Sequence, residues 1–549
     1  MRALLAVALA VLAGCPSSGP QKVGTQPSWR TGAAKAKAKA IGPVTFAPAS
    51  EAVERYNEPF QAAPSSPLGD AVTALVRDAA IAAGTQRPVA DARLFKACEE
   101  LAAIVPEEGV ISYTLVEFAL QRHGIIEPSP RLLVVWGDID SPEAIVERLK
   151  PRVKEILADG ASARVGIGTA KRAPDGTGAV VFALQGSGVS TTPIPRALPA
   201  GGSFKLDAVV DAKFKDPEVF ITHDDGVTER LALKARHAGA FTSEVTCGQR
   251  TGRQQVEITA HDASGSTVLA NFPVWCATEP PVSVTVDPSI DDAPVATTEE
   301  AERRMLAMVN RDRGAQNLPA LQWDDRVAAV SRSHSEEMRR TKNVAHISPT
   351  TGSAADRVRA ASIKTAVVLE NVARAYSLSE AHQGLLNSPG HRANIMSQSA
   401  THVGVGIVFG EEISGRREIF VTQVFTRVPP KIDPARVADQ VLAKMTAAKP
   451  VGNSPRLGAI AQQLADAMAA GKPREQAYAS VKKQVDSLGA VYARVGSVIT
   501  AAAELEALDG KSLLGESKVD DVGIGIAQGP HAEIGDGAIW IVVLVGEKR

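Results

Sequence analysis

An α/β multidomain chain is the fold class that the sequence predicts, on three observations. The 549 residues exceed what one compact core accommodates; at about 100–200 residues per domain, the length points to several domains. One pattern occurs three times: a stretch of amphipathic helix, an alternating V-G-x-G strand, a polar glycine-rich turn and an apolar strand. A run of short strands divided by turn signals lies between the first and second of these units. Apolar residues make up 44% of the chain and charged residues 22%, an ordinary balance for a soluble globular protein. The formal net charge of −1 gives no bulk attraction to nucleic acid, and no nucleic-acid partner is expected.

The N-terminus reads as a targeting segment. Met1-Arg2 gives a basic start, and residues 4–12 are an apolar run too short to span a bilayer as a helix. The run ends in Leu12-Ala13-Gly14-Cys15, which resembles the lipobox of bacterial lipoproteins. That resemblance implies a signal peptide over 1–14 and lipidation of Cys15, which makes the membrane a partner and the cell envelope the location. Pro16 in place of an aspartate favours the outer membrane, by resemblance to Gram-negative sorting rules. The alternative is an ordinary signal peptide with an incidental cysteine. Residues 15–41 read as a tether: Pro, Ser and Gly, then Ala33-Ala34-Lys35-Ala36-Lys37-Ala38-Lys39-Ala40, cannot bury a hydrophobic face.

The first unit, 42–190, carries helical periodicity over 92–105, 113–123 and 143–157. Its hairpin joins Val165-Gly166-Ile167-Gly168 to Ala179-Val180-Val181-Phe182. Residues 191–285 read as an Ig-like β-sandwich with strands near 203–210, 218–222, 230–235, 239–247, 255–260 and 267–275. Cys247 and Cys276 stand at strand ends of an exported chain, so a disulfide between them is expected. Cys98 sits in an apolar helix and reads as a buried free thiol. The last unit, 431–549, carries helical patterns over 457–470, 474–488 and 489–508, then Val522-Gly523-Ile524-Gly525 and Ile539-Trp540-Ile541-Val542. Repetition of the pattern suggests duplicated modules; the alternative is chance recurrence of a common strand motif.

The middle unit, 297–427, holds the residues that bear chemistry. Thr297 and Asp324 are N-cap candidates for two helices. In order the unit reads Asn310-Arg311-Asp312-Arg313-Gly314, Leu321-Gln322-Trp323-Asp324, His334-Ser335-Glu336-Glu337-Met338, His346-Ile347-Ser348-Pro349 and Glu370-Asn371-Val372-Ala373. Then come Asn387-Ser388-Pro389-Gly390-His391-Arg392-Ala393-Asn394-Ile395-Met396, Val403-Gly404-Val405-Gly406 and Thr422-Gln423-Val424-Phe425. These eight ordered motifs resemble the CAP/SCP family of cysteine-rich secretory and pathogenesis-related proteins, in its short bacterial form. The resemblance implies a three-layer α-β-α sandwich with a central cleft.

Family members with a complete cleft carry two histidines and two acids. By resemblance, His346 matches the first histidine and Glu370 the first acid. No acid stands near Ser388 where the second belongs, and Glu380 lies upstream of it. Phe420 occupies the place of the last histidine, and His391, in the bacterial Gly390-His391-Arg392 motif, is the candidate to supply the imidazole instead. Ser388 and Pro389 suit the start of a helix, whose dipole would disfavour protonation of His391. His346, Glu370 and His391 are therefore the cleft candidates and a candidate Zn²⁺ set; the alternative is a polar network that ties helices to sheet. Arg392 and Asn394 read as loop anchors, His334 and His382 as helical side chains, and His402 as a neighbour of the cleft rim.

Two functions follow. One is a binding module at the envelope, for which the family resemblance suggests a lipid, sterol or cell-wall ligand. The other is a hydrolase of peptide or glycan, metal-assisted or using Glu370 and a histidine to activate water. The chain has no G-x-S-x-G elbow beside these histidines and no H-E-x-x-H helix. No residue is singled out as catalytic on this reading.

Overall fold

The computed structural model describes residues 44–549, apart from 60–62, 64, 106–110, 159, 236–238, 287–294, 414–415, 429–430, 504, 506–507, 516–517 and 533. Cys15, the apolar run and the tether lie outside the described residues.

Three four-stranded sheets share one strand order. In each, a two-residue strand runs parallel to the V-G-x-G strand, which pairs antiparallel with the apolar strand, which pairs antiparallel with a longer edge strand. The first sheet is ordered Val89–Ala90, Arg164–Lys171, Thr177–Gln185, Arg131–Asp138. The central sheet is ordered Gln322–Trp323, His402–Ile413, Arg416–Thr426, Val368–Ala375. The third is ordered Gly452–Asn453, Asp521–His531, Gly535–Lys548, Tyr492–Ala502.

The registers also agree. Ala90, Trp323 and Asn453 stand opposite Val165, Val403 and Val522. The next residue caps a helix each time: Asp91 before Ala92–Ile104, Asp324 before Asp325–Thr341 and Ser454 before Pro455–Ala469. The glycines then let that helix lie directly on the sheet. A Cβ on Gly404 would stand 2.1 Å from Ala328 N, and one on Gly406 would stand 2.1 Å from Arg332 N. Gly168 meets Glu99 N at 2.0 Å, and Gly523 meets Gly458 N at 2.2 Å, in the same sense. No side chain fits in that space, so the motif is a helix-packing device. In the central unit Ser331 Oγ and Ser335 Oγ donate to the Gly404 and Gly406 carbonyls, both at 2.8 Å.

Helices cover both faces of the central sheet. Val327 and Val330 of Asp325–Thr341 pack with Val424 on the glycine face. Met305 and Val309 of Thr298–Ala315, with Leu378 and Leu385 of Leu378–Asn387, pack on Val403, Val405 and Phe425. Alternating side chains of one strand thereby serve two cores.

Between the first and central sheets, two mainly antiparallel sheets face each other across one core that includes Leu206, Phe241, Ile258, Phe272 and Val274. Cys247 and Cys276 are disulfide-bonded across it, with Cα atoms 5.6 Å apart. The strand expected near 230–235 is two short pieces, Thr228–Arg230 and Lys234–Ala235. Cys98 is a buried free thiol, and burial pushes its pKa up.

One expectation is overturned. The helix expected over 489–508 is instead a one-turn 3-10 helix, Leu488–Ala490, followed by the strand Tyr492–Ala502. Val495, Val498, Ile499 and Ala502 fit a helical stripe, but they include β-branched residues. The open edge of Gly535–Lys548 pairs with them, so sheet formation overrides local periodicity.

Candidate functional site

His346 lies in the loop that follows Asp325–Thr341, Glu370 on the strand Val368–Ala375, and His391 in the first turn of Pro389–Ile395. The fold brings the three together. His346 Nδ1 is 3.1 Å from Glu370 Oε1, and the two imidazole rings are 5.9 Å apart between centroids. Both residues are partly exposed at the surface.

The His346 loop is fastened at several points. His334 Nε2 bonds the carbonyl of Ala345 at 2.8 Å. Glu337 accepts from Ser348 Oγ and Thr350 Oγ1, both at 2.6 Å. Arg357, from the helix Ala354–Ala360, donates to Gly352 O at 2.6 Å and also grips Glu370 Oε2. Arg357 and Glu370 are both buried, so this ion pair is shielded from solvent.

The His391 loop is fastened from the other side of the same strand. Asn371 Nδ2 donates to His391 O at 3.1 Å and to Gln423 Oε1 at 3.0 Å. Asn394 Nδ2 donates to Glu370 O at 3.0 Å and to Asn371 Oδ1 at 2.9 Å. Val368–Ala375 is an edge strand, and Asn394 bonds one of its carbonyls. Adjacent residues Glu370 and Asn371 point to opposite faces, so one orients His346 and the other holds the His391 backbone.

His391 is held neutral: its pKa falls to about 3, mainly through burial and secondly through His346. That replaces the helix dipole as the principal cause. Ser388 is the N-cap residue of Pro389–Ile395, but its side chain makes no capping bond. Gly390 N donates instead to Glu257 Oε1 at 3.0 Å, a carboxylate from the two-sheet region.

The remaining candidates go elsewhere. Glu380 Oε2 accepts from Tyr376 N at 2.8 Å, at the start of its own helix. Phe420 is fully buried beside Met338 and Val372, so the place of the last histidine is part of the core. His382 Nε2 pairs with Asp312 Oδ2 at 2.5 Å, and His402 Nδ1 bonds Thr401 Oγ1 at 3.0 Å. The registers locate the counterparts of Glu370. The first glycine of each V-G-x-G motif lines up, across the sheet, with Leu132, Glu370 and Ser497 respectively. The flanking sheets therefore carry no acid at that position.

The arrangement does not fit the Zn²⁺ set that two imidazoles and a carboxylate suggested. Glu370 has one oxygen on a guanidinium and the other on His346, and a dication there would sit beside Arg357. Among the described residues, no three His, Cys, Asp or Glu side chains form a group able to hold a metal ion. Arg357 and Glu257 carried no signal in the sequence, and Glu337, though it stands in the His334–Met338 motif, was not singled out as a site residue. Only Ser353-Ala354-Ala355-Asp356, which forms a capping box, marks the helix that presents Arg357.

Residues 306–425 match CAP, the cysteine-rich secretory protein family. The chain is 30% identical over 181 residues to YkwD of Bacillus subtilis (strain 168), covering 33% of this chain and 68% of YkwD. It is 34% identical over 108 residues to the membrane protein YlbC of the same organism, covering 20% of this chain and 31% of YlbC. Among solved structures it is similar to an extracellular protein containing a SCP domain from Bacillus anthracis str. Ames: 22% identity, 36% of this chain, 67% of that one and a TM-score of 0.21. On the match over the central sheet and its helices, and on the extent of YkwD covered, the chain belongs to the CAP family of cysteine-rich secretory proteins.

Proposed function

We propose that this CAP-family chain is an envelope-anchored binding protein whose central cleft takes a lipid, sterol or cell-wall ligand bearing hydroxyl or amide groups. One observation carries the reading: His346, Glu370 and His391 converge, with Glu370 balanced by Arg357. Glu370 orients the His346 ring through Nδ1, so that Nε2 is the nitrogen left for a ligand. A neutral His391 beside it adds a ring that both donates and accepts. Such a pair suits hydrogen bonding to a neutral polar ligand. The anchor would be the lipid on Cys15, and extracellular and membrane relatives support that location.

Hydrolysis of peptide or glycan is the second reading. The His346–Glu370 pair favours it, because a carboxylate on Nδ1 prepares Nε2 to take a proton from water. The buried Arg357 on the same carboxylate and the lack of cysteine in the central unit favour binding. We further propose that the flanking units are degenerate copies of the central one, as shared strand order and register suggest.

The test is capture of envelope lipid and wall fragments by the full chain and by its His346→Asn and His391→Ala variants. Loss of about tenfold or more in affinity, the scale of a lost hydrogen bond in a closed site, supports the binding reading. Unchanged capture by both variants overturns it. Turnover of a wall fragment, abolished by Glu370→Gln, would establish the hydrolase instead.

A further inference from the structure

The two-sheet region touches both segments that carry the site histidines. Its Asp262–Gly265 turn sits against the His346 loop. There Ile347 N donates to Ser264 O at 2.9 Å, and a Cβ on Gly265 would stand 2.9 Å from His346 Cβ. Gly265 has φ +106°, which a side chain would strain, and Asp262 Oδ1 accepts from Ser264 N at 2.7 Å to fix the turn. On the other wall Glu257, on the same strand as Asp262, accepts from Gly390 N beside His391. Asn271 Nδ2, opposite Glu257, donates to Asn387 O at 3.0 Å. The two histidines therefore lie between two points gripped by one hairpin.

The contacts are unequal in strength. Glu257 and Asn271 are buried, and they form the firm end. The turn end is a single backbone hydrogen bond and a glycine contact beneath Ile347, a hydrophobic residue left 43% exposed. A contact of that kind opens locally at little free-energy cost, whereas the buried end opens only with the fold.

We propose that the tip of this hairpin, the Asp262–Gly265 turn, is a lid on the central site: the Glu257–Gly390 and Asn271–Asn387 contacts stay closed, and release of the Ser264–Gly265 turn from the His346 loop admits the ligand. The proposal rests on the cleft being the binding site. It assigns the two-sheet region a gating role that a rigid spacer would not have.

Two measurements on the full chain test it. Amide exchange at Ile347 reports release of the turn. Carbethoxylation of His346 by diethyl pyrocarbonate, read on its peptide by mass spectrometry, reports access to the ring, whose side chain is 23% exposed. Gly265→Val should push the turn off. Asp262→Ala loosens the turn without adding bulk and covers the case in which the valine variant fails to fold, which exposure of the buried His334 would reveal. The expected result is faster exchange at Ile347 together with at least about a threefold rise in the His346 rate, while His334 stays slow. Faster exchange with an unchanged His346 rate overturns the lid. A turn that neither substitution releases is a fixed strut, which overturns it too. Neither readout needs a ligand, so a lid that opens over a cleft capturing nothing sinks only the binding reading.

Discussion

Glu257 Oε1 accepts the Gly390 N–H at 3.0 Å, so the helix that carries His391 is capped by a carboxylate from a different part of the chain. Burial raises the pKa of Glu257 to about 7. The same cause raises to about 7 the pKa of Glu117, which accepts from Ser129 Oγ at 2.6 Å and faces Arg253. A carboxyl whose folded pKa lies above the ordinary value of 4.5 contributes stability at low pH and loses it as pH rises from about 4.5 to about 7. His391 works the other way: with its pKa lowered from 6.5 to about 3, its contribution is lost as pH falls through that window. Thermal unfolding of Glu117→Gln/Glu257→Gln against pH should therefore show a rise relative to the parent above neutrality, about 1–3 kcal/mol per site. Parallel curves for parent and double variant would refute the assignment.

The Arg357–Glu370 pair should behave as a buried ion pair. Arg357→Met alone leaves a buried carboxylate facing only His346, and a loss of about 3–5 kcal/mol is expected in urea unfolding. Arg357→Met/Glu370→Leu should recover most of that loss, because no charge is then stranded. A double variant as unstable as the single one would show that packing, not charge, governs the site.

The glycine face of the sheet gives a sharper contrast. Gly406→Ala would place a methyl 2.1 Å from Arg332 N, and we expect destabilisation of about 1–3 kcal/mol or more. Gly525→Ala should act alike, with its Cβ 2.1 Å from Ala461 C. Gly314→Ala, in the helix Thr298–Ala315, meets nothing within 4 Å and should instead stabilise by up to about 1 kcal/mol. Denaturant midpoints of the three variants decide it.

Reduction of Cys247–Cys276, which closes a loop with a sequence separation of 29, should cost about 3–4 kcal/mol. The buried Cys98 should resist a thiol reagent in the native protein and react on unfolding. Rapid native labelling of Cys98 would contradict its placement.

Cys15→Ser should leave the protein uncleaved or soluble, with no partition into detergent when expressed in a cell that processes lipoproteins. Normal detergent partition of that variant would end the anchor reading.

Local signals were legible in the sequence. Thr297 and Asp324 cap the helices they were expected to cap, because capping depends on residues three apart. The V-G-x-G strands pair as hairpins because alternation and a near turn settle the register locally. Resemblance named His346 and Glu370, and His391 was the candidate offered in place of the missing histidine, without showing how the three meet. Tertiary structure decided the rest. Whether 492–502 became helix or strand depended on an open sheet edge more than thirty residues away in sequence. Arg357, which neutralises Glu370, and Glu257, which caps the helix of His391, belong to no motif and reach their partners only through folding. The neutrality of His391 likewise came from burial, which no local pattern encodes, because desolvation is a property of everything packed around a ring and not of its neighbours in sequence.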